Sequence, residues 1–311
     1  MLLIGASGFV GRALQPVLAA AGWNVRCLTR DVSKARARWP ELDWVEADVG
    51  DHAACLRALG RCEAAIYLAR GTGTGPDDYA SEVAAARIFA RAAATTGLGR
   101  MIYLGSIAPR GEGASAQLRS RLQVGEALRG GPVPTIELRA SLIVGAGNAS
   151  WRIVRDLAAR LPIMILPRWL RSRTEPIAID DLCLALLRAL DVPIKGSAWF
   201  DLPGPEPLSG KQILERTARA LHVGRPVMLD MPLLTPQLSS LWVRFVTRAD
   251  WAVVREVVVG LAHDLLASDD RFWNAIGHSQ RLSFDEAARR AIAAEPESQS
   301  RGVWGVIERV R

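Results

Sequence analysis

The chain has 311 residues, of which half are hydrophobic and 23% are charged. This composition excludes a disordered or fibrous chain and is typical of a soluble globular protein with one large domain or two unequal ones. No apolar run is long enough to cross a bilayer. The formal net charge of +7 comes almost entirely from scattered arginines, which favours solvated faces and a local anion pocket over a nucleic-acid or anionic membrane surface.

Cysteine spacing and the start of the chain bear on the cellular compartment. No metal-ligand spacing joins the four cysteines, which are Cys27, Cys55, Cys62 and Cys183, and we expect no metal site. In a chain of this size they are typical of reduced, mostly buried thiols. The first predicted strand begins at Met1, so we expect no targeting segment before it. The sequence therefore predicts a cytoplasmic protein.

A strand, a glycine-rich turn and a helix follow one another at the start of the chain. Residues 1–4 are apolar, and glycines then recur at every third position, Gly5, Gly8 and Gly11. Gly5 permits a tight turn, Gly8 lacks the Cβ that would block a phosphate, and Gly11 lets the helix approach the strand. The first helical N–H groups then face an anion. This order predicts a dinucleotide site, with a plain strand-to-helix turn as the alternative. The residues assigned to the site are Gly5, Ala6, Ser7, Gly8, Phe9, Val10 and Gly11.

Apolar strands alternate with helices through the rest of the first half. The strands lie at residues 24–28, 43–46, 64–69, 100–106 and 135–139, and the helices at 12–20, 32–39, 52–59, 77–96 and 117–128. Strands this apolar specify a parallel sheet that helices cover on both faces. The sequence therefore predicts an α/β fold, a doubly wound parallel sheet of the Rossmann type over residues 1–147, with its ligand at the carboxyl ends of the strands.

The residue after the second strand helps to choose the cofactor. NAD-selective proteins usually place an acid about 20 residues after the glycines, where it binds the ribose hydroxyls, whereas Arg30 stands here. An arginine can pair with the 2′-phosphate of NADP and stack on the adenine. We therefore expect NADP. NAD is the alternative, because Asp31 is adjacent and Arg30 fits an ordinary surface position as well.

The next two strand ends supply further candidates for the cofactor site. Asp48 and Val49 follow the third strand, where a loop would pass the adenine edge. An aspartate can accept a hydrogen bond from the adenine amino group, and a simple turn aspartate fits the position equally well. Leu68, Ala69 and Arg70 end and follow the fourth strand. They complete the predicted cofactor contacts.

Several segments together resemble the extended and atypical short-chain dehydrogenases/reductases, which include nucleoside-diphosphate-sugar epimerase-like and NAD(P)H-binding NmrA-like proteins. These segments are the glycine spacing, Arg30, and residues 47–49, 101–106, 138–145, 176–182 and 200–205. The resemblance covers roughly residues 1–220, and the glycine motif is its most specific part. It implies a catalytic serine at the end of the fifth strand, here Ser106, and a Tyr-x-x-x-Lys pair on the following helix.

The sequence departs from that family at the tyrosine and the lysine. Aligning the helix puts Gln117 where the tyrosine belongs and Arg121 where the lysine belongs. No other pair can substitute, because none of Tyr67, Tyr79 and Tyr103 precedes a lysine by four residues. A Tyr–Lys pair exchanges protons near neutral pH because the ammonium lowers the phenol pKa. An amide has no such acidity, and an arginine stays protonated.

The two replacements still permit some chemistry. Gln117 and Arg121 can orient a substrate carbonyl or bind the nicotinamide ribose through hydrogen bonds. Hydride delivery to a conjugated acceptor such as a quinone or an enone could then draw its proton from water or from the substrate. Sugar epimerisation needs a base and is less favoured. We assign Ser106, Gln117 and Arg121 to the catalytic site, with Arg121 also contacting the cofactor.

The predicted second part spans residues 148–295 and begins with a helix at 151–160 and an apolar connection at 161–167. Three arginines then surround a tryptophan in residues 168–173. In epimerase-like relatives this region lines the substrate pocket, so the resemblance implies a site for an anionic or amphipathic ligand. The candidates are Asn148, Trp169, Arg171 and Arg173. An ordinary strand with a solvated arginine edge is the alternative.

The remaining elements are small. A helix at 180–191, a strand around Trp199, a helix at 208–221 and a strand at 227–229 suit an α+β lid on the Rossmann core. Residues 232–267 carry two apolar helical stripes, which favour a core or a homodimer interface over contact with a membrane surface. Residues 296–311 form a polar tail that we expect to be mobile. The four histidines, His52, His222, His263 and His278, are isolated by sequence from acidic or nucleophilic partners, so we expect structural roles for them.

Three functions remain, and each involves a small-molecule ligand and no nucleic acid. The first is an NADPH-dependent reductase of a small, fairly apolar carbonyl, quinone or enone. The second is a nucleotide-sugar epimerase or dehydratase, which the overall resemblance favours and the missing tyrosine opposes. The third is a non-catalytic NADPH-binding sensor or accessory subunit. The sequence favours the first.

Overall fold

The computed structural model describes residues 1–69, 75–109, 114–160, 163–166, 168–224, 227–230 and 263–295. Its strands are β1 (Leu2–Ile4), β2 (Arg26–Thr29), β3 (Asp43–Glu46), β4 (Ala64–Tyr67), β5 (Arg100–Ser106), β6 (Thr135–Ala140), β7 (Ile143–Val144), β8 (Ile163–Leu166), β9 (Arg173–Thr174), β10 (Ile177–Ala178), β11 (Ala198–Asp201), β12 (Leu208–Ser209) and β13 (Val227–Asp230). Its α-helices are α1 (Phe9–Ala20), α2 (Val32–Arg38), α3 (His52–Leu59), α4 (Pro76–Thr95), α5 (Ala116–Arg129), α6 (Ala149–Arg160), α7 (Ile179–Arg188), α8 (Gly210–Ala220), α9 (Arg271–Ala275) and α10 (Phe284–Ala293), with a 3₁₀ helix at Arg168–Arg171.

Seven strands form one sheet in the order β11-β6-β5-β4-β1-β2-β3. Every neighbouring pair in it is parallel. From β1 the chain winds outward through β2 and β3 on one side, and from β4 it winds outward through β5 and β6 on the other. This change of direction opens a crevice at the carboxyl ends of the strands, where doubly wound sheets bind their ligands. The predicted fold class is confirmed.

Helices cover both faces of this sheet. Successive strand residues point to opposite faces, so Leu2 and Ile4 pack on one side and Leu3 on the other, and all three are at most 1% exposed. The face of Leu3 packs against α1, α7 and α9, and the opposite face packs against α3, α4 and α5. Burial on both faces explains why these strands are apolar throughout rather than alternating.

A third apolar cluster lies outside the main sheet, among α6, α8 and α10. Its largest members are Trp151 and Phe284, whose ring centroids are 6.3 Å apart. Around it, short strands pair as β7 with β10, β8 with β13 and β9 with β12. This cluster gives the C-terminal elements a core of their own beside the sheet.

Three elements differ from the sequence prediction. The strand around Trp199, expected in the lid, is β11 and extends the main sheet beside β6, with Ala198 opposite Ile136. Residues 168–171 form a 3₁₀ helix, so the alternative of an ordinary strand there is wrong. The helix expected from residue 208 begins at Gly210, because the Ser209 side chain caps it by accepting a hydrogen bond from the Gln212 N–H.

Residues 263–270 lie along the carboxyl-end loops. The Leu265 N–H donates to the Arg173 carbonyl at 2.8 Å, and the Ser268 N–H donates to Asp201 at 2.8 Å. Residues 232–262, which carry most of the two predicted apolar stripes, lie outside the described residues. The tail at 296–311 lies outside them as well. None of the described helices combines the length and the hydropathy that a bilayer crossing requires.

Candidate functional site

The three glycines of the opening turn fit it for different reasons. Gly5 has a φ of +83°, which side chains disfavour, and a Cβ there would lie 2.9 Å from the Leu68 carbonyl carbon. A Cβ on Gly11 would lie 2.4 Å from the Gly5 oxygen. A Cβ on Gly8 would meet that oxygen at 3.2 Å and otherwise points into open space. Packing therefore requires Gly5 and Gly11, whereas Gly8 keeps the space above the turn open.

Helix α1 begins beside this space. Its N-cap is Gly8, which makes no side-chain hydrogen bond, and its first turn holds no acidic residue. By contrast, side-chain oxygens of Asp31, Asp51 and Ser115 cap α2, α3 and α5. The uncapped N–H groups and the positive end of the helix dipole favour an anion beside Gly8. The residues present fit a pyrophosphate.

The rest of the turn is held by packing. Ala6 and Val10 are buried, and Ser7 is exposed at the tip. The Gln15 amide donates to the Ala6 carbonyl at 3.0 Å. A Cβ on Gly145, after β7, would lie 2.8 Å from the Phe9 ring. The loop after β7 therefore packs closely on the start of α1.

Arg30 is exposed directly after β2, the strand beside β1. Its neighbour Asp31 accepts a hydrogen bond from the Lys34 N–H at 3.0 Å and pairs with the Lys34 ammonium at 2.9 Å. The backbone hydrogen bond is the main reason that the pKa of Asp31 is lowered. Because Asp31 caps α2, Arg30 is the charged side chain that this strand end offers to a ligand.

The other predicted cofactor contacts also lie at carboxyl ends of strands. Asp48 follows β3 and accepts a hydrogen bond from the Gly50 N–H at 2.7 Å, which makes it a turn residue. Val49 is half-buried beside it. The Leu68 N–H donates to the Ile4 carbonyl at 2.9 Å, and Ala69 follows it against the glycine turn. Arg70 lies outside the described residues.

The structure brings two of the three predicted catalytic residues into contact. Ser106 ends β5, and the Arg121 guanidinium donates to its Oγ at 3.3 Å. The Tyr103 hydroxyl donates to the Arg121 carbonyl at 3.1 Å and ties this part of α5 to β5. Gln117 is half-buried in the first turn of α5, one turn before Arg121. A hydroxyl and a guanidinium side by side can hold an acceptor oxygen and stabilise negative charge on it.

Buried tyrosines and thiols offer no replacement for the missing tyrosine. Burial raises the pKa of Tyr67, which is opposite to the lowering that tyrosinate chemistry needs. Burial also raises the pKa of Cys27 to about 12, that of Cys55 to about 11 and that of Cys183 to about 12. These thiols stay protonated at neutral pH and are not nucleophiles.

The predicted substrate contacts lie on the C-terminal elements. The Asn148 side chain accepts from the Ser150 N–H at 2.9 Å at the start of α6. Arg171 is exposed, and Arg173 is exposed and pairs with Asp264 at 3.2 Å. The side chain of Trp169 lies outside the described part of the chain. Their role toward a substrate stays a prediction.

His278, which is isolated from acidic residues in the sequence, has an acidic partner in the fold. Its Nε2 lies 3.2 Å from Asp181 Oδ1, across 97 residues of sequence. Asp181 is buried, and its other oxygen accepts from the Leu282 N–H at 2.8 Å. The contact joins α7 to the segment before α10, so it fastens the C-terminal elements to the sheet.

Comparison with known proteins fits this geometry. Residues 5–155 match the family described as NAD(P)H-binding. The match covers slightly less than half of the chain. The matched residues include the glycine turn, Arg30, and the Ser106–Arg121 pair.

Two relatives and one solved structure extend the comparison beyond residues 5–155. A ceramide reductase of Caulobacter vibrioides is 29% identical over 198 residues, which are 62% of this chain and 62% of that protein, less than two thirds of its length. A (4-alkanoyl-5-oxo-2,5-dihydrofuran-3-yl)methyl phosphate reductase of Streptomyces griseus is 28% identical over 238 residues, 74% of this chain and 76% of that protein. The enzyme WbmH of Bordetella bronchiseptica, solved with NAD+, shares the fold with a TM-score of 0.69 at 16% identity, over 97% of this chain and 98% of that one.

Buried polar contacts that the sequence does not reveal hold α5 in place. Ser120 is buried, and its hydroxyl donates to Glu82 of α4 at 3.0 Å. Glu137 is fully buried in the middle of β6. The sequence does carry one signal for it, because Glu137 is a charged residue between the apolar Ile136 and Leu138.

Proposed function

We propose that the chain is an NADPH-dependent reductase of a small, apolar carbonyl compound, quinone or conjugated enone. The contact between Arg121 and Ser106 at the carboxyl end of β5 carries this proposal. It lies at the same edge of the sheet as the glycine turn, since all strands of the sheet are parallel. When bound, the reduced cofactor supplies a hydride, and the protein has to hold and polarise the acceptor.

NADPH is preferred over NADH because of the charges after β2. Arg30 is exposed there, and a guanidinium suits a 2′-phosphate. The acid that would otherwise bind ribose hydroxyls, Asp31, is engaged with Lys34 as the cap of α2. An arginine beside an occupied carboxylate favours the phosphorylated cofactor.

The type of donor at the site favours a conjugated acceptor. A guanidinium donates hydrogen bonds without giving up its proton at neutral pH. Arg121 and Ser106 can therefore stabilise negative charge on the oxygen of an enolate or a hydroquinone anion, while water protonates the enolate carbon or the hydroquinone oxygen. An alkoxide needs a proton at the oxygen itself, which is the task of the tyrosine that this chain lacks. Enone or quinone reduction suits the residues better than reduction of a simple ketone.

The named relatives support reduction of an amphipathic compound. Both are called reductases, and the name of the Streptomyces substrate contains an alkanoyl group and a phosphate. In the present chain, Arg171 and Arg173 are the candidates to meet an anionic group of the substrate. Asn148 and Trp169 complete the proposed pocket, within the proposed substrate part of residues 148–295.

The test is NADPH oxidation over a panel of enones, quinones and apolar ketones, with nucleotide sugars assayed for epimerisation. We expect turnover of an enone or a quinone, reduced about tenfold or more in Ser106→Ala and in Arg121→Met. Gln123→Ala, on the exposed side of α5, serves as the control. Saturable NADPH binding without oxidation of any acceptor would favour the sensor or accessory subunit, and epimerisation would favour the nucleotide-sugar enzyme. Unchanged turnover in both variants would contradict the site assignment.

A further inference from the structure

A carboxylate is buried between the main sheet and α5. Glu137 of β6 has 0% of its surface exposed. Arg129, the last residue of α5, donates to its Oε2 at 2.7 Å, and Arg139 donates to its Oε1 at 2.9 Å. A carboxylate without water is costly unless charged partners surround it. The two guanidiniums fix both oxygens in place.

Two glycines make room for this carboxylate. A Cβ on Gly105 of β5 would lie 2.6 Å from Glu137 Oε1, and a Cβ on Gly125 of α5 would lie 2.5 Å from Oε2. The second distance is about 0.9 Å short of the 3.4 Å at which ordinary van der Waals contact begins. No side chain fits at either position while the arginines hold the carboxylate. Glu137 therefore sets the separation between β5 and α5.

The two glycines beside Glu137 are close in sequence to the candidate catalytic pair, Ser106 and Arg121. Gly105 immediately precedes Ser106, and Gly125 follows Arg121 by about one helical turn. Since α5 connects two parallel strands, it runs back along β5, and the Ser106–Arg121 contact lies one layer nearer the carboxyl end than the glycines. At 3.3 Å this contact is long for an N–H···O bond. Moving α5 away from β5 therefore lengthens a contact that is already at the limit of hydrogen-bond distances.

Stability alone does not account for the ion cluster. Apolar side chains of similar volume often stabilise a core as well as a buried ion pair does. Charged hydrogen bonds differ from apolar packing because they form only at particular distances and angles, so they fix the relative position of the elements that they join. Arg139 also lies over the Trp199 ring at 4.3 Å, so the same cluster reaches the edge strand β11. The cluster thus couples β5, α5, β6 and β11 to a single carboxylate.

We propose that Glu137 is a positioning residue, which holds Ser106 and Arg121 at working distance by fixing α5 against β5 across Gly105 and Gly125. The catalytic importance of that pair rests on the proposed function, whereas the spacing itself does not. Any side chain at residue 125 then displaces the site, and a shorter carboxylate at residue 137 compensates for it.

The test compares crystal structures of the wild-type protein, Gly125→Ala and Gly125→Ala/Glu137→Asp. We expect the distance between the Cα atoms of residues 105 and 125 to increase by up to about 0.9 Å in the single variant, which is the missing contact distance. The Ser106–Arg121 distance should lengthen with it and return toward 3.3 Å in the double variant. Gly224→Ala is the matched control, because a Cβ there meets nothing within 4 Å. An unchanged distance in Gly125→Ala, or no recovery in the double variant, would overturn the proposal.

Hydrogen exchange covers the case in which Gly125→Ala does not fold. Glu137→Asp removes one methylene and adds no atoms, so we expect amide exchange in α5 to rise about tenfold while that in α1 stays unchanged. Equal exchange in both proteins would contradict the role of Glu137. If an acceptor is turned over, Glu137→Asp should lower turnover at saturating cofactor and leave NADPH affinity unchanged, whereas general destabilisation would alter both. A wild-type protein inactive toward every acceptor refutes the proposed function, and the exchange data still decide the positioning role.

Discussion

Replacing Gly8 with alanine should impair anion binding without lowering the stability of the fold. Gly8 has φ −74° and ψ 173°, which alanine adopts without strain. A Cβ there would lie 3.2 Å from the Gly5 oxygen, so the neighbour has to move by a few tenths of an ångström. We therefore expect Gly8→Ala to fold with nearly wild-type stability. Its methyl group would occupy the space that a pyrophosphate needs above the first N–H groups of α1.

The expected loss of binding follows from the hydrogen bonds that the methyl group blocks. A hydrogen bond to a charged group is worth about 1.5–3 kcal/mol, so each blocked N–H weakens NADPH binding by about ten- to a hundredfold. Gly11→Ala should behave differently, because its Cβ would lie 2.4 Å from the Gly5 oxygen and 2.7 Å from the Ala6 Cα. These are backbone atoms that cannot rotate away, and overpacking of this kind costs about 1–3 kcal/mol or more of stability.

The assay pairs an NADPH titration, followed by nucleotide fluorescence, with denaturant unfolding of the same samples. We expect Gly8→Ala to lose binding and keep stability, Gly11→Ala to lose stability, and Gly224→Ala to match wild type in both. Gly8→Ala binding NADPH as tightly as the wild-type protein would refute the assignment of the turn as the pyrophosphate site.

Three further predictions concern charges and thiols. Arg30→Ala should weaken NADPH binding about tenfold through the lost contact to the 2′-phosphate and leave NADH binding unchanged, and an equal loss for both nucleotides in paired titrations would contradict that role. The pKa of Cys27 is raised from 9.0 to about 12, so the thiol ionises first in the unfolded chain; its contribution to stability is full below pH 9 and is lost as the pH rises toward 12. Unfolding curves at several alkaline pH values should show a smaller loss in Cys27→Ala than in wild type, and parallel losses would argue against the shift. The lowered pKa of Asp31 has the opposite sign: its contribution is present above the ordinary carboxyl pKa of 3.8 and is lost as the pH falls through the lowered value. Asp31→Asn should therefore flatten the acid limb of the stability profile, and an unaltered acid limb would show that the cap does not contribute.

Local signals explain why the sheet and the cofactor turn could be predicted. β5 spans Arg100–Ser106 as expected, because a continuous apolar run bounded by turns indicates a buried strand. The glycine turn was recognised from its spacing, and Gly5 and Gly11 are required there by conformation and close packing. Periodicity and turn chemistry act within a few residues, so they can be read from the sequence directly.

The contacts that the sequence could not reveal join residues far apart in the chain. His278 contacts Asp181, which is 97 residues away in the sequence. β11 pairs with β6 although four short strands and two α-helices lie between them in the chain. Glu137 was not predicted because its room comes from glycines on two other elements, Gly105 and Gly125. Each case depends on tertiary packing, which overrides local pattern.

We infer that a nucleotide binds with its pyrophosphate against the peptide N–H groups at the start of α1 and its adenosine end against Arg30. Paired titrations of the wild-type protein with NADPH and NADH test this most directly. We expect saturable binding of both nucleotides, with NADPH bound about tenfold more tightly, the difference expected of one charged contact. Absence of saturable binding, or tighter binding of NADH than of NADPH, would contradict it.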